Sequence, residues 1–344
     1  MIKAKVLADS ISPCGKRLTT YECTYPRSIH SEILTHKVLS RNSASSRAIP
    51  TEKLIKRIED DPFVPVYIGA NQKGMQAGAE LSEEDRALAV AAWLTTRDFC
   101  VSQARGLVST GVHKQVVNRM IEPWMWITVI ISTTEDTNFF GLRDHEAAEP
   151  HFQELARKMR AARDASEPKH LRAGQWHLPL FGKDGCGHED DWEALALYLA
   201  KNDQHLAFKD DAGYYLTAAK ISVGRCARVS YLTHDGRRDL KDDIVLHDRL
   251  VVARPLHASP AEHVAQALDW PRWWHDRYPG NTSSVDEIQN TVVEWCRLRG
   301  TDDYPPEPLR DMELVLSQLR SGNFMGFRQY RKTLKDEHIG GLRP

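Results

Sequence analysis

The chain has no C-x-x-C pair, no apolar run of eighteen residues, no internal repeat, no low-complexity tract and almost no net charge. Each absence removes a class of protein. The six cysteines, Cys14, Cys23, Cys100, Cys186, Cys226 and Cys296, are scattered singly, which argues against a disulfide framework and a four-thiolate zinc site. Free thiols are expected. Without a long apolar run no transmembrane helix is expected, and the opening MIKAKVLADSISPCGKR lacks the apolar core and small-residue cleavage site of a secretory signal. A cytoplasmic protein with no membrane partner is the expectation. Lys and Arg number 46 against 47 Asp and Glu, a formal net charge of −1. Wholesale attraction to nucleic acid needs a clustered basic excess, so a nucleic-acid partner is not expected and any anion site has to be local.

What is present is a chain of 344 residues, 41% hydrophobic and 27% charged. It can bury a large core in one domain or two intimately joined ones. Helical spacing dominates the first half. Ile29, Ile33, Leu34 and Val38 after Pro26 predict an amphipathic helix from residue 27 to about 40. Ser82, followed by Glu83, Glu84 and Asp85, reads as the cap of a long helix through Leu88, Trp93 and Phe99, with Gly106 or Gly111 as interruptions. A second helical piece carries Val112, Val116 and Val117 to Arg119. The run WMWITVIIS, residues 124–132, suits a buried strand, with a buried helix of the same composition left open. Phe152, Leu155 and Met159 mark one face of a further helix.

The polar, glycine-rich stretch GKDGCGHEDD, residues 182–191, is the expected boundary between halves 1–180 and 181–344. Helices are expected around residues 192–201, 218–229 and 239–253, then 287–299 and 308–320. Residues 270–279, aromatic and flanked by prolines, are expected as a surface loop or lid, and residues 322–334 as a strand with a basic end. The pattern is α+β, with mixed helices around a β-sheet.

One stretch concentrates donors. THKVLSRNSASSRAIP, residues 35–50, holds four serines, two arginines, a lysine, a histidine and an asparagine with no carboxylate. Ser45, Ser46 and Arg47 can converge on a phosphate through charge-assisted hydrogen bonds. Composition alone fits a solvated helix terminus capped by serines just as well. Arg119 and Arg143 flank the apolar run, where arginines commonly make structural ion pairs. His257 and His263 straddle Glu262, but two histidines and a carboxylate without a further ligand do not make a zinc site, and no metal is expected.

THKVLSRNSASSR resembles the signature of the flavin-dependent thymidylate synthases, which reads Arg-His-Arg, seven residues, then Ser closely followed by Arg. Here the spacing is Thr35-His36-Lys37, seven residues from Val38 to Ala44, then Ser45 and Arg47. NRMIEPWMWITVIIS with the later NFFGLRDHEAAEP is similar to the family's arginine, proline-led strand and Asn-Phe-Leu-x-Leu-Arg helix, supplying Arg119, Asn138 and Arg143. CARVSYLTHDG with PLHASPAEH resembles the Ala-Arg-Val-Ser and His-x-Ser/Thr-Pro-x-Glu-His block, supplying Ser230, His257, Ser259 and Glu262. That block opens the family's chain in its common form and comes last here. A circularly permuted or rearranged version of that fold is therefore implied.

The resemblance implies a homotetramer with FAD at subunit interfaces. Its substrate is a pyrimidine deoxynucleoside monophosphate, dUMP going to dTMP, with methylenetetrahydrofolate as carbon donor and NADPH as reductant. On the same basis Ser45, Arg47 and Arg119 hold the nucleotide phosphate. Arg143 holds the base and the charge developing on it, so that Arg143 and Ser45 are the catalytic candidates. His36, Ser230, Ser259 and Glu262 contact the flavin, with Asn138 and His257 nearby, and no protein nucleophile is assigned.

Departures from the signature keep other readings open. Thr35 and Lys37 replace arginines, and Ser43 stands where the family has a glutamate near the nucleotide. Hydroxymethylation or methylation of dUMP or dCMP, a nucleotide-binding module without turnover, and a nucleic-acid binder using Arg47, Arg119 and residues 328–332 all stay open. Segments 182–225 and 270–320 have no counterpart in the resemblance.

Overall fold

Two long strands open the chain, β1 (Lys3–Ile11) and β2 (Arg17–Pro26), paired antiparallel. Their loop turns at Gly15, whose φ of +82° is a left-handed backbone that glycine adopts without strain. The computed structural model describes residues 1–76, 78–201, 211–231, 239–253, 256–299, 306–335 and 337.

The helix expected over residues 27–40 is much shorter: a 3-10 turn at Arg27–Ile29, then the single turn α1 (His30–Ile33). Residues 40–43 leave it for the sheet as β3 (Ser40–Ser43). Serine and asparagine compete with helical hydrogen bonds, and Arg41 seals the early end by donating to the carbonyls of Ile33 (3.0 Å) and His36 (2.8 Å). Next come α2 (Thr51–Asp60) and α3 (Glu83–Ser109), the latter capped by Ser82, whose Oγ accepts from the Asp85 amide at 3.1 Å. α3 runs through Gly106 and stops before Gly111, at φ +85°. The second helical piece is α4 (Lys114–Val117) followed by a 3-10 segment, Asn118–Trp124. The apolar run is the strand β4 (Trp126–Thr133), not a helix.

α5 (Thr137–Arg143) and α6 (Pro150–Asp164) follow, then the short strands β5 (Lys169–His170) and β6 (Trp176–His177). The C-terminal part contains α7 (Asp191–Lys201), α8 (Asp211–Tyr231), α9 (Leu240–Val252), β7 (Ala265–Ala267), α10 (Arg272–Arg277), α11 (Val285–Arg299) and α12 (Glu307–Leu319). It ends on β8 (Arg320–Ser321), β9 (Phe324–Met325) and β10 (Phe327–Gln329). The expected strand over residues 322–334 is thus two short strands split at Gly326, closed by a 3-10 turn.

The main sheet has the order β3-β4-β2-β1-β5, antiparallel except for the β1–β5 pair. Side chains alternate across it. One face sends Tyr21, Cys23, Tyr25, Ile127, Val129 and Ile131 onto Phe139 and Phe140 of α5 and Phe152, Leu155 and Met159 of α6. The other sends Leu7 and Ile130 onto Cys226 and Val229 of α8. The α8 layer also carries β6, β7 and β10 as a three-stranded sheet. Residues 270–279 are no surface loop: Trp274 is 2% exposed and joins Val285, Ile288, Val315 and Leu319 in a separate small core. Burying an indole outweighs the turn preference of the flanking prolines.

The 182–191 stretch is tied into this layer. The Asp191 carboxylate accepts from the amides of Gly182 (2.9 Å) and His188 (2.8 Å) and takes the Arg225 fork at 2.8 and 2.9 Å. Arg225 also reaches Asp243 at 3.0 Å, and Arg228 reaches it at 2.6 Å. At Gly224 a Cβ would lie 2.3 Å from the Asp243 carbonyl oxygen, so only glycine permits this approach of α8 to α9.

A buried hydrogen-bonded chain crosses between the sheets: Ser10 Oγ to His177 Nδ1 (2.9 Å), His177 Nε2 to Thr20 (2.8 Å), Thr20 to Ser132 (2.7 Å), and Ser132 to His263 Nδ1 (2.8 Å). Burial pushes both imidazoles down to about 3. Unfolded, each takes a proton near pH 6.5, so between those values the unfolded chain binds more protons. Stability is therefore full above about pH 6.5 and falls as pH drops toward 3. Urea titrations at pH 7 and pH 5 are expected to give a lower midpoint at pH 5, with a smaller drop in His177→Gln. Equal midpoints for the wild type would contradict this.

Candidate functional site

The donor-rich stretch leaves β3 and enters a short 3-10 turn, Ser46–Ala48. Extended backbone sends alternate side chains to opposite sides. Ser43, Ser45 and Arg47 line one cavity of about 400 Å³, while Ala44, Ser46 and Ile49 line another behind it. The first cavity is closed on its far side by His257, Ser259 and Pro260, with His113, Gln115 and Leu250 completing it.

Asn42 clamps the two sides together. Its amide donates to the Cys226 carbonyl of α8 at 2.9 Å, and its Oδ1 accepts from Ser259 at 3.1 Å. The side chain is 5% exposed, and both ends of the amide are satisfied. Below it, Asn118 donates to the carbonyls of Ser46 (2.7 Å) and Ile49 (3.0 Å), and Ser46 donates to Glu122 at 2.6 Å. The backbone of the stretch is thereby fixed, while Arg47 stays exposed and makes no ion pair among the described residues. Its Nε donates to Ser45 Oγ at 3.5 Å. A fixed loop presenting two serine hydroxyls and a guanidinium free of carboxylates is suited to an oxyanion.

Arg143 lies elsewhere. Its Nε donates to His36 Nε2 at 2.8 Å, its guanidinium sits 4.6 Å over the Phe152 ring, and Glu32 is 3.7 Å away. Burial and then the Arg143 charge lower the His36 pKa, so the ring is a neutral acceptor, wedged edge-on against Phe139 and Phe152. Arg143 and Glu32 line a broad cleft of about 870 Å³ together with Tyr67, Gln76, Glu146 and Arg157. Burial raises the Glu32 pKa, with Glu149 adding to the effect.

The structure brings Ser45, Arg47, His257 and Ser259 together, and separately His36 and Arg143. Arg119 is exposed on the 3-10 segment and Asn138 is exposed on α5, and neither lines either cavity. The Glu262 carboxylate is held by Arg331. Ser230 lies in the last turn of α8, and its side chain falls outside the described residues. Sequence reasoning gave no site role to Asn42, Glu122 or Phe152, the last read only as part of one face of a helix. Asn42 stands within the quoted stretch, and its signal was an amide able to donate and accept at once in a run of donors. Among the described residues no group of three His, Cys, Asp or Glu is placed to hold a metal, and no helix is long and apolar enough to cross a membrane.

No family model matches the chain, and no curated protein does. Among solved structures it is similar to a UMP/dUMP methylase, PolB, from Streptomyces cacaoi. The form bound with 5-Br UMP aligns at 13% identity and a TM-score of 0.41, over 47% of this chain and 88% of that one. The form bound with 5-Br dUMP aligns at 10% identity and a TM-score of 0.37, over 47% and 89%.

Proposed function

We propose that the chain binds a pyrimidine deoxynucleoside monophosphate at the Ser45–Arg47 cavity and transfers a one-carbon unit from methylenetetrahydrofolate to carbon 5 of the base, dUMP to dTMP. One observation carries this reading. Two blocks that resemble the same enzyme family, THKVLSRNSASSR and HASPAEH, stand over two hundred positions apart in the chain, and Ser45, Arg47, His257 and Ser259 nevertheless line one cavity. The rearranged block order is part of the proposal. In it, Ser45 and Arg47 bind the phosphate, and Asn42 holds the facing wall in place.

The residues implied for FAD fall in separate places. His257 and Ser259 are at the cavity, His36 is under Arg143, Asn138 is exposed and Glu262 is occupied by Arg331. Among the described residues these groups share no single cavity, so the proposal places FAD, with NADPH as reductant, between copies of the chain. The surface of α3 supports self-association, and the proposal takes the assembly to be a homotetramer. Only Val101 and Ala104 of its 27 residues are buried, no charged residue occurs between Arg86 and Arg97, and Leu88 and Phe99 are 65% and 64% exposed.

Ser43 favours a second reading. It lines the cavity where the family carries a glutamate, so a different acceptor, dCMP, or a hydroxymethyl product fits the same site.

Arg47→Ala tests the phosphate assignment. Arg47 is exposed and free of ion pairs, so the fold should be unchanged, while monophosphate affinity falls about ten- to a hundredfold, roughly 1.5–3 kcal/mol. Isothermal titration with dUMP reads it. Wild-type affinity in the variant would remove the phosphate from this cavity.

A further inference from the structure

The long helix α3 has an inner and an outer face. Trp93, Cys100, Val101, Ala104 and Leu107 pack onto the core beneath it. On the outer face Leu88, Ala92, Thr95, Phe99, Ser102 and Gly106 are all exposed, and they recur at alternating steps of four and three residues. That spacing keeps one stripe of a helix turned toward a second helix.

Gly106 is the unexpected member. Glycine inside a helix weakens it, and a Cβ at this position would meet nothing within 4 Å, so packing within the chain does not call for a glycine. Leu88 and Phe99 are the opposite case, large apolar side chains left 65% and 64% exposed. A two-fold axis beside residue 97 resolves both. With two copies of α3 antiparallel about it, Leu88 meets Gly106, Ala92 meets Ser102 and Thr95 meets Phe99, so each large side chain falls opposite a small one.

Charge selects the same direction. Residues 87–96 carry none, and beyond them Arg97 is paired with Asp98, and Arg105 with Glu52 and Glu59, all within the chain. Glu83, Glu84 and Asp85 stand in the first turn. Parallel copies would bring these acidic turns together and set Phe99 on Phe99 and Gly106 on Gly106. Antiparallel copies hold the acids about 40 Å apart. We propose that α3 pairs with α3 of a second copy of this chain, antiparallel and in this register. The proposal rests on the self-association in the reading above and fixes its direction and register, but it uses none of the nucleotide chemistry. Absence of turnover would leave it standing, and its failure would leave the nucleotide cavity untouched.

The test is the particle mass of the full chain by sedimentation equilibrium, with no ligand added. Leu88→Ala leaves a gap opposite Gly106, and Gly106→Leu sets two leucines against each other. Each change strikes two layers, because every pairing occurs twice about the axis. Either single variant is expected to raise the dissociation constant of the pair at least about tenfold, halving the particle mass at a concentration where wild type holds its full mass. Leu88→Ala combined with Gly106→Leu transposes large and small, so the double variant is expected to regain the wild-type mass. Phe99→Asp, which does not depend on Gly106, should also halve the mass, so the test stands even if Gly106→Leu fails to fold. Wild type that stays monomeric, single variants of unchanged mass, or a folded double variant as light as the singles would each overturn the proposal.

Discussion

Arg143→Lys is expected to lower turnover about a hundred- to a thousandfold while keeping much of the nucleotide affinity. The guanidinium performs several tasks at once: Nε donates to His36, the plane lies on Phe152, and Glu32 stands beside it. His36 as a neutral acceptor and Phe152 as a platform fix the fork. Under the proposed function its remaining N–H groups take a base carbonyl on which charge builds. Because Arg143 lines a different cleft from Ser45 and Arg47, that nucleotide is one held by the phosphate cavity of another copy of the chain. Lysine supplies a point charge on a flexible stem. It attracts the ligand but neither stacks nor holds a planar base. Single-turnover methylene transfer at saturating nucleotide, beside the dissociation constant, separates the two effects. A wild-type rate with a large loss of affinity would assign Arg143 to nucleotide binding and not to the transition state.

The largest effect on stability is expected at Asp243, whose side chain is fully buried between Arg225 and Arg228. Asp243→Ala should destabilise the fold by about 3–5 kcal/mol, because two guanidinium groups lose their shared carboxylate inside the α8–α9 layer. Arg225 keeps Asp191, but Arg228 is left without its partner. The site should suffer with the fold, since Cys226, next to Arg225, carries the carbonyl that holds Asn42. Exposed pairs should behave differently. Lys56→Ala, which breaks an ion pair between side chains 74% and 61% exposed, should leave the unfolding midpoint nearly unchanged. Urea unfolding of the two variants should differ clearly, and equal midpoints would show that the buried network does not hold the α8 layer.

Elements with strong local signals were legible in the sequence. Ser82 caps α3 with three acids behind it, and the β-branched run from Trp126 forms β4, because cap chemistry and β-branching act over a few residues. The failures came where distant partners decide. Residues 34–40 have helical spacing, yet β4 draws Ser40–Ser43 into its ladder and Arg41 closes the helix early. Trp274 lies between prolines, yet Val285 and Val315 give it a core. The site divides the same way. Ser45 and Arg47 were visible as part of a run of donors, whereas His257 and Ser259, which the resemblance assigned to the flavin, share their cavity only in the folded chain. Asn42 was passed over because its importance lies in contacts to Cys226 and Ser259, which no local pattern encodes. The splitting of His36 and Arg143 from Ser45 and Arg47 was equally hidden, since spacing along a chain does not say which cavity a side chain enters.

The central claim is one-carbon transfer to a pyrimidine nucleotide. Its most direct measurement is the mass of dUMP and of dCMP after anaerobic incubation with methylenetetrahydrofolate and the protein reconstituted with FAD and reduced by NADPH. dUMP gaining one methyl group is the predicted result, and a hydroxymethyl group or a reaction of dCMP would select the reading favoured by Ser43. Nucleotides of unchanged mass, from protein that holds reducible flavin and binds the monophosphate, would contradict the account.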